Sequence, residues 1–368
     1  MKRLWNITIA VLAALVAAGM LVSAYGGTID PRTFAYPGLA TLALPVVMVV
    51  AVAALVVSLL LRHRVASLIV GISILLSMPS IHTVFPMSWN SQPDDESRSF
   101  TVLSWNVAGF RSDAMRHVLA ADADLVLLQE ASIDNEMYLT FHNPQPLIDS
   151  LTTRYPYHTE GCSDVVILSK VPFTLVPDTT MRNMRGMFSD RSYHTFGRVY
   201  DLKIKGENLR IVSVHMQSIG LKIEDKKLYK DIATFNRKVN TKQELRDVKH
   251  SLTDKLTGSF RRRAGEAHTV RDIIDAAPGN VIVCGDFNDT PGSYCYRTIR
   301  GDDMSDAFVD CGTLPINTFN RDGLYFKIDH VLYRGDIKAV ATRREKWKAS
   351  DHYPQITTFE WTARKTDE

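Results

Sequence analysis

The first 85 or so residues carry almost no charge, and their apolar positions come in long runs rather than at strand or surface-helix spacing. Leu4–Val22 is one such run, of about the length that crosses a bilayer. Gly38–Leu61 is a second, rich in Val, Ala and Leu, and Val65–Phe85 is a third, interrupted by Ser77, Pro79 and His82. A cleaved signal sequence starting at Lys2 and Arg3 would explain the first run but not the two that follow it. The pattern predicts an anchor over residues 1–87 with three membrane helices, at about 4–22, 38–61 and 65–85. Residues 88–99 are polar and aperiodic and read as a tether.

Beyond residue 100 the pattern changes to short apolar runs of strand length. Thr101–Trp105, Asp124–Leu128, Leu209–Val214, Val281–Val283, Lys327–Tyr333 and Gln355–Trp361 read as strands, with helical stretches at Asp113–Ala121 and Ala264–Ala277. Most of these runs end on, or contain, a polar group that can act chemically: Asn106, Glu130, His215, Asp286 with Asn288, and Asp329. Asp351 and His352 precede the last strand. Asp286 and Asn288 are two apart, so on an extended backbone they share a face. One polar residue at a strand end is ordinary turn chemistry. Six such places, drawn from Asn, Glu, His and Asp alone, predict convergence on one site.

The ordered pieces Ser104–Val107, Leu127–Glu130, Val165–Lys170, Ser213–His215, Gly285–Asn288, Ile328–Val331 and Ser350–His352 resemble the endonuclease/exonuclease/phosphatase superfamily of metal-dependent phosphoesterases. The resemblance covers residues 98–362 and implies an α+β fold, a four-layer α/β/β/α sandwich of two mixed sheets with the site at one end. It implies Mg²⁺, or Mn²⁺, held by Glu130 with Asn106 through its carbonyl oxygen and Asp351. It further implies that Asp286 orients or deprotonates the attacking water, and that Asn288 and His352 contact phosphate oxygens. Asp329 would fix the His352 tautomer, and His215 would serve as a second catalytic histidine. Glu160 or Asp164 would support His215, and Arg198 lies where it could touch substrate. His330 alternates to the opposite strand face from Asp329.

Charge refines this picture only locally. A net +3 over 368 residues is too small to argue for nucleic acid. An insertion at about 221–263 is strongly basic, with Lys222, Lys226, Lys227, Lys230, Arg237, Lys238 and the triplet Arg261 to Arg263. It reads either as a solvated helical hairpin or as a basic arm facing phosphate beside His215. Lys2, Arg3, Arg62 and Arg64 mark the cytoplasmic side, so three crossings put the domain at 100–362 on the extracytoplasmic (periplasmic) side. Two crossings would reverse that. The four cysteines show no zinc spacing; Cys295 and Cys311 are the pair to test for a disulfide, and Cys284 reads as a buried thiol.

The expected protein is therefore a multi-pass, membrane-anchored hydrolase of phosphodiesters or phosphomonoesters. Its partners would be the bilayer and a nucleic acid or phospholipid headgroup, and no protein partner is inferable. The alternative is a catalytically silent anchored scaffold, against which Glu130, Asp286 and His352 all stand present.

Overall fold

The computed structural model describes residues 2–131, 145–159, 164–177, 181, 196–220, 242–321 and 324–362. Its N-terminal part is helical: α1 (Lys2–Tyr25), α2 (Tyr36–Leu42), α3 (Leu44–Leu60), α4 (Arg64–Leu76) and α5 (Met78–Val84). Among the described residues one helix is long and apolar enough to cross a membrane, and up to three if each bent pair is one span. The second and third expected spans are each broken, with α2 and α3 meeting at 67° and α4 and α5 at 57°. Pro45 and Pro79 sit in the first turns after the breaks. A proline ring there removes a donor and clashes with the preceding turn, so the helix bends. Small residues such as Ala13, Ala24, Ala51 and Ala66 pack these helices together, while Leu and Val side chains cover the outer faces.

The remainder contains β1 (Ser99–Asn106), α6 (Ser112–Ala121), β2 (Leu125–Gln129), α7 (Gln145–Arg154), β3 (Tyr157–His158), β4 (Val165–Ser169) and β5 (Phe173–Val176). Then come β6 (Gly197–Ile204), β7 (Glu207–His215), α8 (Lys242–Asp275), β8 (Val281–Asp286), α9 (Tyr294–Arg300), β9 (Ser305–Asp306) and α10 (Ala307–Cys311). The chain closes with β10 (Phe319–Arg321), β11 (Leu324–Phe326), β12 (Asp329–Arg334), β13 (Ile337–Arg344) and β14 (Gln355–Trp361). Two six-stranded sheets form, in the orders β13-β14-β1-β2-β4-β3 and β5-β6-β7-β8-β12-β9. Each has one parallel pair at its centre, β1 with β2 and β7 with β8, and antiparallel neighbours around it.

Three apolar cores set the layer order. Phe100, Leu127, Tyr200, Ile282 and Phe359 fill the space between the sheets. Leu128, Val118 and Tyr155 join the first sheet to α6 and α7, and Val283, Val270 and Ile299 join the second to α8 and α9. This is the expected α/β/β/α sandwich, in which each sheet buries both faces.

Three expectations change. Residues 88–95, expected as part of a tether, lie with Pro86 and Met87 against the sandwich as a strap. Ser88 N–H donates to Gly312 O (3.1 Å), Ser91 N–H to Val340 O (2.7 Å), and Asp94 and Asp95 N–H to Glu360 (3.1 and 2.7 Å). The basic triplet is split, because Arg263 is wholly buried and paired with Asp289 at 3.1 Å. Its helix α8 runs unbroken from Lys242, and residues 221–241 lie outside the described residues. Cys295 and Cys311 are free thiols in different surroundings, one against Met216 and the other bonded to Ala339 O. Cys284 is buried in β8, where burial pushes its thiol up to about 12.

Candidate active site

The parallel pairs place the chemistry. Asn106 ends β1 beside Gln129, so Glu130 follows at the end of β2; His215 ends β7 directly beside Asp286 at the end of β8. Four carboxyl-terminal strand ends, two from each sheet, thus meet at one end of the sandwich. Backbone conformation sharpens the convergence. Glu130 and Asn288 both adopt left-handed φ values of +53°, strained for Glu130 and readily tolerated by Asn288, and each thereby turns off its strand. Gly285 is required by close approach, since a Cβ there would meet Val214 O at 1.9 Å.

Asp286 is the centre. Its Oδ2 lies 3.1 Å from Asn106 Nδ2, 3.8 Å from His215 Nε2 and 3.8 Å from His352 Nε2. Both imidazoles are aimed by a carboxylate at Nδ1: His352 by Asp329 at 3.0 Å and His215 by Asp164 at 2.7 Å. An ionised carboxylate can only accept, so each Nδ1 carries hydrogen and each Nε2 faces Asp286. Asp164 therefore takes the supporting place for which Glu160 competed; Glu160 lies outside the described residues. Burial, reinforced by Asp329, pushes the Asp286 carboxyl up to about 6 against the pull of His352 and His215. For His352 burial disfavours the charge, but Asp329 and Asp286 outweigh it and push the imidazole up to about 10.

Other residues fall differently from expectation. Asn106 does not offer its carbonyl oxygen: Oδ1 accepts Ala108 N–H (3.1 Å), while Nδ2 donates to Glu130 Oε1 (2.9 Å) and to Asp286. An amide N–H₂ between two anionic groups is favoured over an oxygen there, so Asn106 clamps the two carboxylates together. Asn288 likewise spends its amide on Met216 O (2.9 Å) and Asp286 (3.2 Å), and its N–H donates to Asp286 Oδ1 (2.8 Å). It holds the central carboxylate in place. Asp351 turns away to Arg321 (3.0 Å), because β10 pairs with its backbone through Asn320. Its neighbours stay at the site: Ser350 Oγ donates to Asn106 O (2.7 Å) and Trp105 Nε1 to His352 O (2.8 Å). Arg198 lies on β6 opposite Ser213, half-buried, two residues along the strand from Tyr200.

Three features carried no readable signal in the sequence. Lys327 is buried with its ammonium 2.9 Å from His330 Nδ1 and 3.1 Å from Asp329 O. His330 Nε2 meets Asp289 O (2.9 Å), and burial drives both groups toward neutrality. Arg263 fixes the Asn288–Asp289 turn from behind, since it also donates to Gln217 O (2.9 Å). The His330 and Arg263 contacts depend on pairings remote in sequence, and that of Lys327 on a turn that brings its ammonium back onto its near neighbours.

The donors suit a hard divalent cation. Glu130 Oε1 and Asp286 Oδ2 share the Asn106 amide, and Glu130 is half-exposed at the mouth. Asp329 Oδ1 is buried without a hydrogen-bond partner among the described residues, while its other oxygen holds His352. Asp286, Asp329 and His352 also present ligand atoms within 4.8 Å of one another. An imidazolium already bridges that trio, so the Glu130 side is the better place for an ion.

Residues 103–352 match the Endonuclease/Exonuclease/phosphatase family, and residues 6–84 match a Domain of unknown function (DUF8431). No curated protein matches the chain. Among solved structures it is similar to truncated Caenorhabditis elegans TDP2, with 18% identity over 71% of this chain and 97% of that one, at a TM-score of 0.44. It is similar to an endonuclease/exonuclease/phosphatase from Beutenbergia cavernae, with 15% identity over 72% of each chain and a TM-score of 0.46. The human Nocturnin catalytic domain with bound sulfate is a third, with 16% identity over 72% of this chain and 95% of that one, at a TM-score of 0.43.

Proposed function

This chain belongs to the Endonuclease/Exonuclease/phosphatase family of metal-dependent phosphoester hydrolases, and from that premise we propose that it is a membrane-anchored, Mg²⁺-dependent phosphodiesterase. The observation that carries the reading is the single carboxylate, Asp286, faced by two imidazoles that are each aimed by an aspartate. Glu130, with Asp286 alongside, would hold the ion. When bound, a divalent cation there would neutralise phosphate oxygens that otherwise repel the nucleophile.

The protein groups divide the remaining work. Asp286, with a carboxyl raised to about 6, is ionised near neutral pH yet basic enough to orient water and accept its proton. His352, cationic up to about pH 10, attracts a phosphate oxygen and keeps its orientation through Asp329. His215 stands on the other side of Asp286 with Asp164 behind it, placed to donate a proton to the leaving oxygen. Asn106 and Asn288 keep Asp286 from turning away. Arg198 would meet the substrate's anionic oxygens from β6. In the membrane, α1 and the two bent pairs would make three crossings and leave the hydrolase outside the cytoplasm.

The test uses the full chain in detergent with bis(p-nitrophenyl) phosphate. Mg²⁺ should support hydrolysis and EDTA should abolish it. Asp286→Asn should lower the rate by about 10²- to 10⁴-fold, the range for losing a positioned acid–base group, and Glu130→Ala should lower it and raise the Mg²⁺ concentration needed for activity. EDTA-insensitive turnover, or full activity in either variant, would sink the assignment.

A further inference from the structure

The end of α1 is built into the rim of the site. A Cβ placed on Gly27, two residues past α1, would meet Gly292 O at 2.0 Å, so these two backbones touch. Arg297, in the last turn of α9, rivets the contact. Its Nε donates to Gly292 O (2.8 Å), and its Nη2 donates to Ala24 O and to Ser80 Oγ (3.0 Å each). Ser80 in turn donates to the same Ala24 carbonyl (2.7 Å), which ties α5 to α1 at this point. Arg32 adds a second tie, with its guanidinium on Asp30 (2.6 Å) and 2.9 Å from His268 of α8. Gly292 is four positions along the chain from Asn288, the residue that holds Asp286, so the site lies at most about 14 Å along the chain from this contact with the end of α1.

The other connection allows no swing away from that position. The strap at 86–95 is bonded to the sandwich from its first residue, since Leu314 N–H donates to Pro86 O (3.0 Å). The surface it creates is apolar and open to solvent. Met87 is 63%, Trp89 74% and Leu314 65% exposed, and Met87 and Leu314 lie on adjoining backbone through the Met87–Thr313 bridge. Tyr25, Phe34 and Tyr36 are exposed at the same end of the helices. Aromatic and apolar side chains gathered where membrane helices emerge are the usual collar of the bilayer interface. This patch is continuous in sequence with α5, and so with the apolar outer faces of the anchor.

We infer that the catalytic domain is seated on the bilayer by Met87, Trp89 and Leu314, and that its substrate is a phosphodiester carried by a membrane lipid. The inference rests on the hydrolase reading above and adds the source of the phosphate. Water would bond to phosphorus, the P–O bond to one esterified alcohol would break, and that oxygen would take the proton. The products are one phosphomonoester and one alcohol. A headgroup reaches such a mouth by diffusing in the plane of the membrane, whereas a nucleic acid must enter beside the bilayer surface against its anionic lipids.

The experiment uses the full chain reconstituted with Mg²⁺ in vesicles of phosphatidylcholine doped in turn with phosphatidylethanolamine, phosphatidylglycerol, cardiolipin or phosphatidylinositol phosphate. Short-chain soluble forms of the same lipids, single-stranded DNA and bis(p-nitrophenyl) phosphate are run beside them. We expect at least one vesicle lipid to be cleaved about tenfold faster than its soluble form. The Trp89→Ser, Leu314→Ser double variant should lose that preference while cleaving the aryl diester at the unaltered rate. Cleavage of the aryl diester or DNA without any vesicle lipid would overturn the lipid inference and leave the hydrolase reading standing. An unchanged vesicle preference in the double variant would overturn the seating. Silence on every substrate would sink the hydrolase reading, and the inference with it.

Discussion

At the level of single residues, the centre of the site is His352 held between the buried carboxylates Asp286 and Asp329. His352 holds its proton far more tightly when folded, up to about 10 against an ordinary 6.5. A group whose folded value is raised contributes stability that is full below the unfolded value and lost as pH rises through the folded one. In EDTA, the melting temperature of the domain should therefore fall as pH is raised from 6.5 to about 10. His352→Gln should be less stable at pH 6.5 and should flatten that slope. A slope unchanged in the variant would mean that another group governs it. Much of this site was legible. His215, Asp286, Asp329 and His352 each stand at a strand end or in a short motif, and the fold brings all four together. What the chain order hides is orientation. Nothing in a one-dimensional pattern says that Asn106 will turn its amide nitrogen inward, or that Arg321 will draw Asp351 outward.

At the level of elements, strands were easier to read than helices for a physical reason. A central strand in this sandwich buries both faces, so its apolar run is continuous and its polar end is abrupt, as in β8. Helix α8 shows its apolar stripe only where it packs on the second sheet, so the sequence reading began it at Ala264 although it starts at Lys242. The same blindness left Arg263 in a triplet that reads either as a solvated hairpin or as a basic arm facing phosphate. Buried and paired with Asp289, it instead braces the turn that carries Asn288. Arg263→Met would leave Asp289 buried beside an apolar group, and breaking such a pair costs about 3–5 kcal/mol. Thermal denaturation should show a large loss for this variant and little change for Arg261→Met, which shares the charge but lies on an exposed surface. Equal small effects would return the triplet to the surface. In the anchor, three apolar runs were visible, yet the breaks at Ala43 and Ser77 follow from proline geometry rather than from hydropathy.

At the level of the whole molecule, the two halves are joined twice, and the joints decide what the enzyme can reach. A polar, aperiodic stretch such as 88–99 carries the composition of a free linker, because its hydrogen bonds use backbone groups that every residue possesses. Composition cannot distinguish a strap from a tether; exchange of amide hydrogens can. In a tether the amides of Ser88, Ser91, Asp94 and Asp95 would exchange at the rate of an unstructured chain. Bonded as they are to Gly312, Val340 and Glu360, all four should be protected. Glu360→Ala provides the internal control. It should release Asp94 and Asp95 while Ser88 and Ser91 stay protected, since their acceptors are main-chain carbonyls elsewhere in the sandwich. Free exchange at all four amides in the unaltered chain would restore the tether, and with it a hydrolase able to swing its site away from the membrane. If the N-terminal helices anchor the chain as proposed, protection would fix the distance between the bilayer and Asp286, and the range of substrates would be set by the anchor as much as by the pocket.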